Sequence, residues 1–406
     1  MTTHVCKPVG TRNESFEYLI HDNLSPGDEI VLSPGKYSYD VLAQNPKQKD
    51  VTIRADGKVE LVGKTVLSAP GTRFIGMDIT SNSNGVWVTG SNIEVANCYI
   101  HDCAYMGILA AEDGDVNIYG NIICWCNNSH GIFASGHGNK VIENNVIFEC
   151  GKMNVQVYNE FNDISGFTVR GNILFAPYIG NLVVGTMKHT TSNVLVEDNM
   201  CLYPIGTRKP PLGVNIGWHS VGGKNVVVRN NTVVGAEYGI SVKGVDNPVL
   251  DGNRTNRELV EYSAVKELGN VPDHILRVYT NKYDPKRLVV MMFNKDRVTN
   301  GVLAKMDASN PLYKAGMDMF FHNTPRPDGI NRQVATAEVK NVWLLDVDVS
   351  PLVSGLIQSA NNVLDIGDDR HHGVFQDKQF SGGRLPITVN WYNYVPEFAV
   401  FLVNLQ

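Results

Sequence analysis

Residues 129–148 read SHGIFASGHGNKVIENNVIF, and residues 164–175 read ISGFTVRGNILF. Both close in the same way: an alternating aliphatic run, an Asn-Asn or Gly-Asn step, then a second short apolar run. Working outward, the same text recurs at Met-Asp (77–78), Asn-Cys (97–98), Gly-Asn (120–121), Asp-Asn (198–199), Asn-Asn (230–231) and Gly-Asn (252–253). The second residues of the steps are Asp78, Cys98, Asn121, Asn145, Asn172, Asn199, Asn231 and Asn253, spaced 20 to 32 residues apart. A recurring period of this size marks a solenoid. Short alternating runs bounded by turn residues make the unit a β-strand. No helical pattern lies between the runs, which excludes the βαβ crossovers of an ordinary α/β sheet.

Each turn reads as three strands, for example GFTVRG, ILFA and NLVVGT. Stacking such turns gives three parallel sheets, with rungs about 4.8 Å apart. The inner asparagines are expected to form a ladder that satisfies the buried turn backbone. Before the repeats, residues 12–23 (RNESFEYLIHDN) read as an amphipathic helix, and two Pro-Gly turns follow. A solenoid needs such a cap over its first apolar rung.

The expected architecture is therefore all-β: an N-terminal cap over 1–48 and a single-stranded parallel β-helix over 49–255. Residues 256–270 read as a closing helix and linker. Residues 271–406 carry strand patterning of another kind (HILRVYT, KRLVVMMFN, VKNVWLLDVDVS, NNVLDIG, RLPITVN, FAVFLVNL) and read as an antiparallel, sandwich-like β-domain.

The 406 residues carry a net charge of −6, which is no footprint for nucleic acid. No run of apolar residues is long enough to span a membrane. The opening MTTHVCKPVGTRNE has no apolar signal-peptide region, so cytoplasmic, virion-associated and extracellular settings all stay open. The seven cysteines read mostly as reduced thiols. Cys103, Cys126 and Cys150 follow the repeat and read as a vertical stack of small apolar side chains, ahead of a metal or disulfide reading.

PGDEIVLSPGKYS (26–38), followed by Asn-stepped repeats, resembles the pectate-lyase-like right-handed β-helix superfamily. The stretches from 129 to 148, NVQVYNE (154–160), GFTVRGNILF and GVNIGWHS (213–220) are similar to bacterial and viral β-helix repeat proteins. The likeness covers about residues 25–255. It implies a right-handed, carbohydrate-active solenoid and leaves the activity open, since such folds host lyases, hydrolases, epimerases and phage adhesins.

The strand after each Asn-step turn aligns as 85–90, 107–112, 131–136, 154–159, 181–186, 213–218 and 239–244. Its outward residues are expected to be Trp87, Leu109, Phe133, Gln156 with Tyr158, Val183 with Gly185, Asn215 with Gly217, and Ser241 with Lys243. Loops lengthen around the middle rungs at YNEFNDISG, GTMKHTTS and CLYPIGTRKPPLG, walling in a cleft whose floor Gly185 and Gly217 would keep low. The resemblance puts sugar chains on this face.

β-Elimination on a uronate polymer needs a cation for the carboxylate, a base for the C5 proton and an acid for the leaving oxygen. Lys188, Arg208 or Lys209 suits the first role, His189, His219 or Lys188 the second, and Tyr158 the third. His130 is a further catalytic candidate. Gln156, Asn215, Trp218, Arg208, Lys209, Lys243 and Trp87 are candidate substrate contacts. Hydrolysis would need two carboxylates, with Glu160 as the first candidate.

Plainer readings stand beside these: His130 as a turn cap, Lys188 and His189 as solvated loop charges, Trp87 as one more surface aromatic. No cofactor is demanded. Calcium stays open, although neither the acidic calcium cluster of classical pectate lyases nor the paired aspartates of polygalacturonases are evident. A non-catalytic, tail-spike-type adhesin is the alternative to an enzyme. His371–His372 and Asp368–Asp369 read as surface features of the tail.

Overall fold

The computed structural model describes residues 1–202 except 12–13, 22–23 and 176, and 212–255 except 237. Beyond these it describes 261–262, 269–272, 274–285, 287–294 and five further strand segments up to 404. The chain separates into two compact units.

The first unit is a parallel β-solenoid. Its first face is an eleven-stranded sheet running from Thr3–Cys6 to Val249–Asp251. The other two faces are hydrogen-bonded into one sheet rather than two. The reason lies in the early strands: Val59–Leu67 runs unbroken through the corner and pairs with both Asp78–Ser81 and Val86–Val88. Apolar residues one rung apart stack inside, as in Ile79, Ile100, Ile123 and Ile147 on the second face, all fully buried. Lys140 is an exception: it takes a core position between Val116 and Phe167. Its Nζ donates to the His137 carbonyl at 2.8 Å.

The asparagine ladder is present. Asn121 donates through Nδ2 to Asn145 Oδ1, and the pattern continues through Asn172, Asn199 and Asn231 to Asn253 at 2.9–3.0 Å. Each Oδ1 also accepts the backbone N–H of the ladder residue before it, from Cys98 upward. The residue before each ladder position takes positive φ: Asn97, Gly120, Asn144, Gly171, Asp198, Asn230 and Gly252. Asn, Asp and Gly are the residues that tolerate that conformation.

One step differs from the sequence reading. Tyr99 N–H bonds the Met77 carbonyl just as Ile122 N–H bonds that of Cys98. Gly76 carries the positive φ. The step is therefore Gly76–Met77, and Asp78 points elsewhere.

The N-terminal helix is shorter than expected, Phe16–His21, with Phe16, Leu19 and Ile20 buried against the first rungs. Inside the expected closing helix, Glu261–Tyr262 instead pairs parallel with Ser241–Val242 as one more short strand. The stacked cysteines are as read: all seven are buried free thiols. Cys126 is held well above the usual thiol range by Cys103, Cys150 and burial. Glycines make the room for this stack, since a Cβ on Gly131 would lie 3.0 Å from Cys150 Sγ.

In the second unit, His274–Thr280, Arg287–Asn294, Phe398–Asn404 and Asp348–Val349 form one antiparallel sheet. Leu303–Lys305, Asp318–Pro325 and Gln333–Val339 form another. The last three strands were not read from the sequence. The expected strands at 361–367 and 384–390, and the His371–His372 and Asp368–Asp369 pairs, lie outside the described residues. Among the described residues no helix is long and apolar enough to cross a membrane.

Candidate functional site

The expected outward column exists on the third face. Trp87, Leu109, Phe133, Gln156, Val183, Asn215 and Ser241 are paired rung to rung. Its middle is more closed than alternation suggests: Gln156 is 6% exposed and Val183 fully buried. Tyr158, expected to stand outward in the open, is 7% exposed.

The cause is a register change one strand on. Gly185 lies opposite Tyr158, but it pairs with Trp218 rather than Gly217. Gly217 forms a bulge at φ +75, and a Cβ there would fall 1.7 Å from the Lys243 carbonyl oxygen. The Trp218 backbone lies against Gly185, where a Cβ would fall 2.2 Å from the Trp218 carbonyl oxygen, and the indole meets Tyr158, ring centroids 5.5 Å apart. The low floor expected at Gly185 and Gly217 is instead bridged by two aromatic rings.

His219 follows at φ +59, its imidazole 4.7 Å from the Trp218 ring. Its carbonyl accepts the N–H of Lys188, itself at φ +63. Hydroxyls staple the two rungs. Thr186 donates its backbone N–H to Ser220 Oγ at 3.1 Å and its hydroxyl to the His189 carbonyl at 2.5 Å. Ser220 Oγ lies 2.7 Å from Thr191 Oγ1. Lys188 and His219 are exposed on this rim, and His189 is half-buried. Tyr158, Trp218, His219, Lys188 and His189 are thus brought together by three successive rungs.

Burial, aided by the Glu160 charge, raises the Tyr158 phenol above its ordinary range, so it holds its proton at neutral pH. Glu160 opens the exposed loop above Tyr158. At the end of that loop the Asp163 carboxylate accepts the Thr190 N–H at 2.7 Å, and this bond holds Asp163 below the usual carboxylate range.

The other candidates lie apart. His130 is buried, and its Nδ1 accepts the Met153 N–H at 3.3 Å. Burial and then the Lys152 charge hold it down to about 3, so it is neutral and packed on Phe133. Asn215 is half-buried between Val183 and Ser241. Lys243 is exposed one rung beyond Trp218. Trp87 stands three rungs below Gln156, about 14 Å at the usual rung spacing, with Lys64 Nζ 4.1 Å over its ring. Arg208 and Lys209 lie outside the described residues. Among the described residues no group of three or more His, Cys, Asp or Glu is placed to hold a metal ion.

A charged cluster that the sequence reading missed sits on the second face. His101 bonds Asp102 Oδ2 through Nδ1 at 2.6 Å and Asp78 Oδ1 through Nε2 at 2.9 Å. Its ring stacks on Tyr99 at 4.0 Å. Burial disfavours its charge, but the two carboxylates outweigh burial and raise it to about 9. Nearby, Trp125 donates to Glu149 at 2.6 Å, and burial pushes that carboxyl up to about 7. The signal for this cluster was the register of Asp78, which the misplaced step concealed.

Comparison with known families agrees with this architecture: the right-handed β-helix region matches residues 51–201. The solenoid is a right-handed β-helix. No curated protein matches the chain in sequence. Among solved structures, the β-helix chain is similar to pectate lyase Pel9A at 15% identity and TM-score 0.46, covering 65% of this chain and 79% of that one. It is similar to the Dettilon tailspike protein gp208 at 10% identity and TM-score 0.37, covering 74% and 84%. It is also similar to an alginate lyase from Paenibacillus sp. str. FPU-7 at 15% identity and TM-score 0.34, covering 64% and 99%.

Proposed function

We propose that this β-helix is a carbohydrate-active protein that binds an acidic polysaccharide over the third-face rim and cleaves it by β-elimination. The observation carrying this reading is the Tyr158–Trp218 ring pair with His219 and Lys188 beside it. An aromatic surface next to polar loops suits the C–H face and the hydroxyls of a sugar ring.

In this reading Lys188 neutralises the uronate carboxylate, which acidifies the C5 proton. His219 takes that proton, with His189 as the neighbouring alternative. Tyr158 donates its phenolic proton to the leaving glycosidic oxygen, and its raised pKa supports that role. The geometry favours elimination over hydrolysis, because Glu160 is exposed and Asp163 is occupied by the Thr190 N–H. Among the described residues the carboxyl raised to about 7 is Glu149, beside Trp125 and away from this rim.

The test is incubation with uronate-containing and neutral polysaccharides, following ultraviolet absorbance of the unsaturated uronate and new reducing ends together. Rising absorbance that Tyr158→Phe abolishes while binding persists supports the reading. Reducing ends without absorbance would establish hydrolysis instead. Binding with silence in both channels would make the protein an adhesin.

A further inference from the structure

Phe161 is 78% exposed, and its loop is not slack. Asn159 Oδ1 accepts the N–H groups of Phe161 at 2.9 Å and Asn162 at 3.1 Å. Asp163 ties the far end to Thr190 on the next rung. Met187, which donates its N–H to the Asn159 carbonyl, is 42% exposed directly beyond. Single exposed apolar residues need no explanation, but two on adjacent, pinned rungs form a ledge.

The nearest charge changes sign across the ledge. On its lower side the exposed acidic residues are Glu112, Asp113, Asp115, Glu160 and Asp163, with the exposed His137 among them. On its upper side stand the exposed Lys188, His219, Lys224 and Lys243, and the exposed Asp246 follows Lys243 on the outer rung. The exposed Lys152 stands just before strand Met153–Asn159, about 26 Å from Glu160 over eight extended steps. An anionic sugar beside Lys188 and His219 is attracted, and one beside Glu160 is repelled.

Resting on the reading of this rim as a carbohydrate site, we infer that the polymer is not a homopolyuronate but one that mixes neutral and acidic sugars. The Phe161–Met187 ledge takes the C–H face of a neutral unit, Glu160 accepts its hydroxyls, and the acidic unit lies one rung on at Lys188.

The experiment is affinity electrophoresis of the full chain through gels holding polygalacturonate or an alternating neutral–acidic polymer such as rhamnogalacturonan or hyaluronan. Wild type is expected to be retarded most by a mixed polymer. Phe161→Ala should weaken that binding about fivefold to tenfold, the worth of one aromatic stacking contact. Glu160→Gln should strengthen binding to polygalacturonate and narrow the preference. Equal or stronger retardation of wild type by polygalacturonate overturns the inference. So does an unchanged preference in both variants when Trp218→Ala still weakens binding, which would leave the carbohydrate reading standing. No retardation of wild type by any acidic polymer would remove both.

Discussion

Removing the Asn172 side chain tests whether the asparagine ladder carries the solenoid. Its Oδ1 accepts the backbone N–H and the Nδ2 of Asn145, both at 3.0 Å. Its Nδ2 donates to Ile142 O, Arg170 O and Asn199 Oδ1 at 2.9–3.0 Å. In Asn172→Ala, Asn145 Nδ2 keeps the Ile118 carbonyl, and Asn199 Oδ1 keeps the Asn172 N–H. The Asn145 N–H keeps nothing, and it is fully buried. An orphaned buried donor costs about 1–3 kcal/mol, and the four other lost bonds add about 0.5 kcal/mol each, the low end for a net hydrogen bond, for about 3–5 kcal/mol in all. Asn172→Asp should be pH-dependent. It restores the acceptor but sets a second oxygen against two carbonyls and Asn199 Oδ1, so the folded carboxyl must hold its proton. Its folded pKa is then raised, and stability present at low pH is lost as pH climbs past the ordinary carboxylate value of about 4. Urea unfolding followed by circular dichroism measures both variants. A cost under about 1 kcal/mol for Asn172→Ala would refute the reasoning, because the ladder would then be ornament on a core that holds itself.

Three further predictions concern the scaffold. Gly131→Ala should destabilise the solenoid by about 1–3 kcal/mol, the usual overpacking cost, since its Cβ would lie 2.5 Å from Ile147 Cγ2 and 2.7 Å from the Asn154 carbonyl oxygen; thermal melting reads this directly. His101, raised to about 9 in the fold, should contribute stability fully present below its ordinary value of about 6.5 and lost as pH rises through about 9. A His101→Gln variant should flatten that part of the stability–pH profile, and an unchanged slope would count against the Asp78–His101–Asp102 contact. The seven buried thiols should resist an aromatic disulfide reagent in the native protein and react together on unfolding; prompt labelling of Cys126 would contradict its place in the stack.

The rung repeat was legible because each turn must solve the same local problem. A left-handed corner demands Asn, Asp or Gly, and a buried corner demands an amide beside it, so the sequence repeats where the backbone repeats. The cysteine stack and the outward column from Trp87 to Ser241 followed from that period and from strand alternation alone. What failed were places where the period is locally broken. Asp78 reads as a ladder residue because a carboxylate resembles the amides above it, whereas Gly76 fixes the corner one residue earlier. The expected closing helix had the right spacing for a helix, but Glu261–Tyr262 finds a strand edge at Ser241–Val242 that no local pattern announces.

The rim residues Tyr158, Lys188, His189, Trp218 and His219 were all named from the sequence, yet their relation was not. Alternation says which side of a strand a residue faces, and it cannot say what lies over it. The bulge at Gly217 shifts Trp218 by one place, the missing side chain at Gly185 lets the Trp218 backbone pack close, and Tyr158 becomes covered rather than open. Composition and period determined the solenoid, because each depends on neighbours in the chain. The site was decided by tertiary structure, because its contacts join residues a rung or more apart, and a single residue of register decides which rings meet.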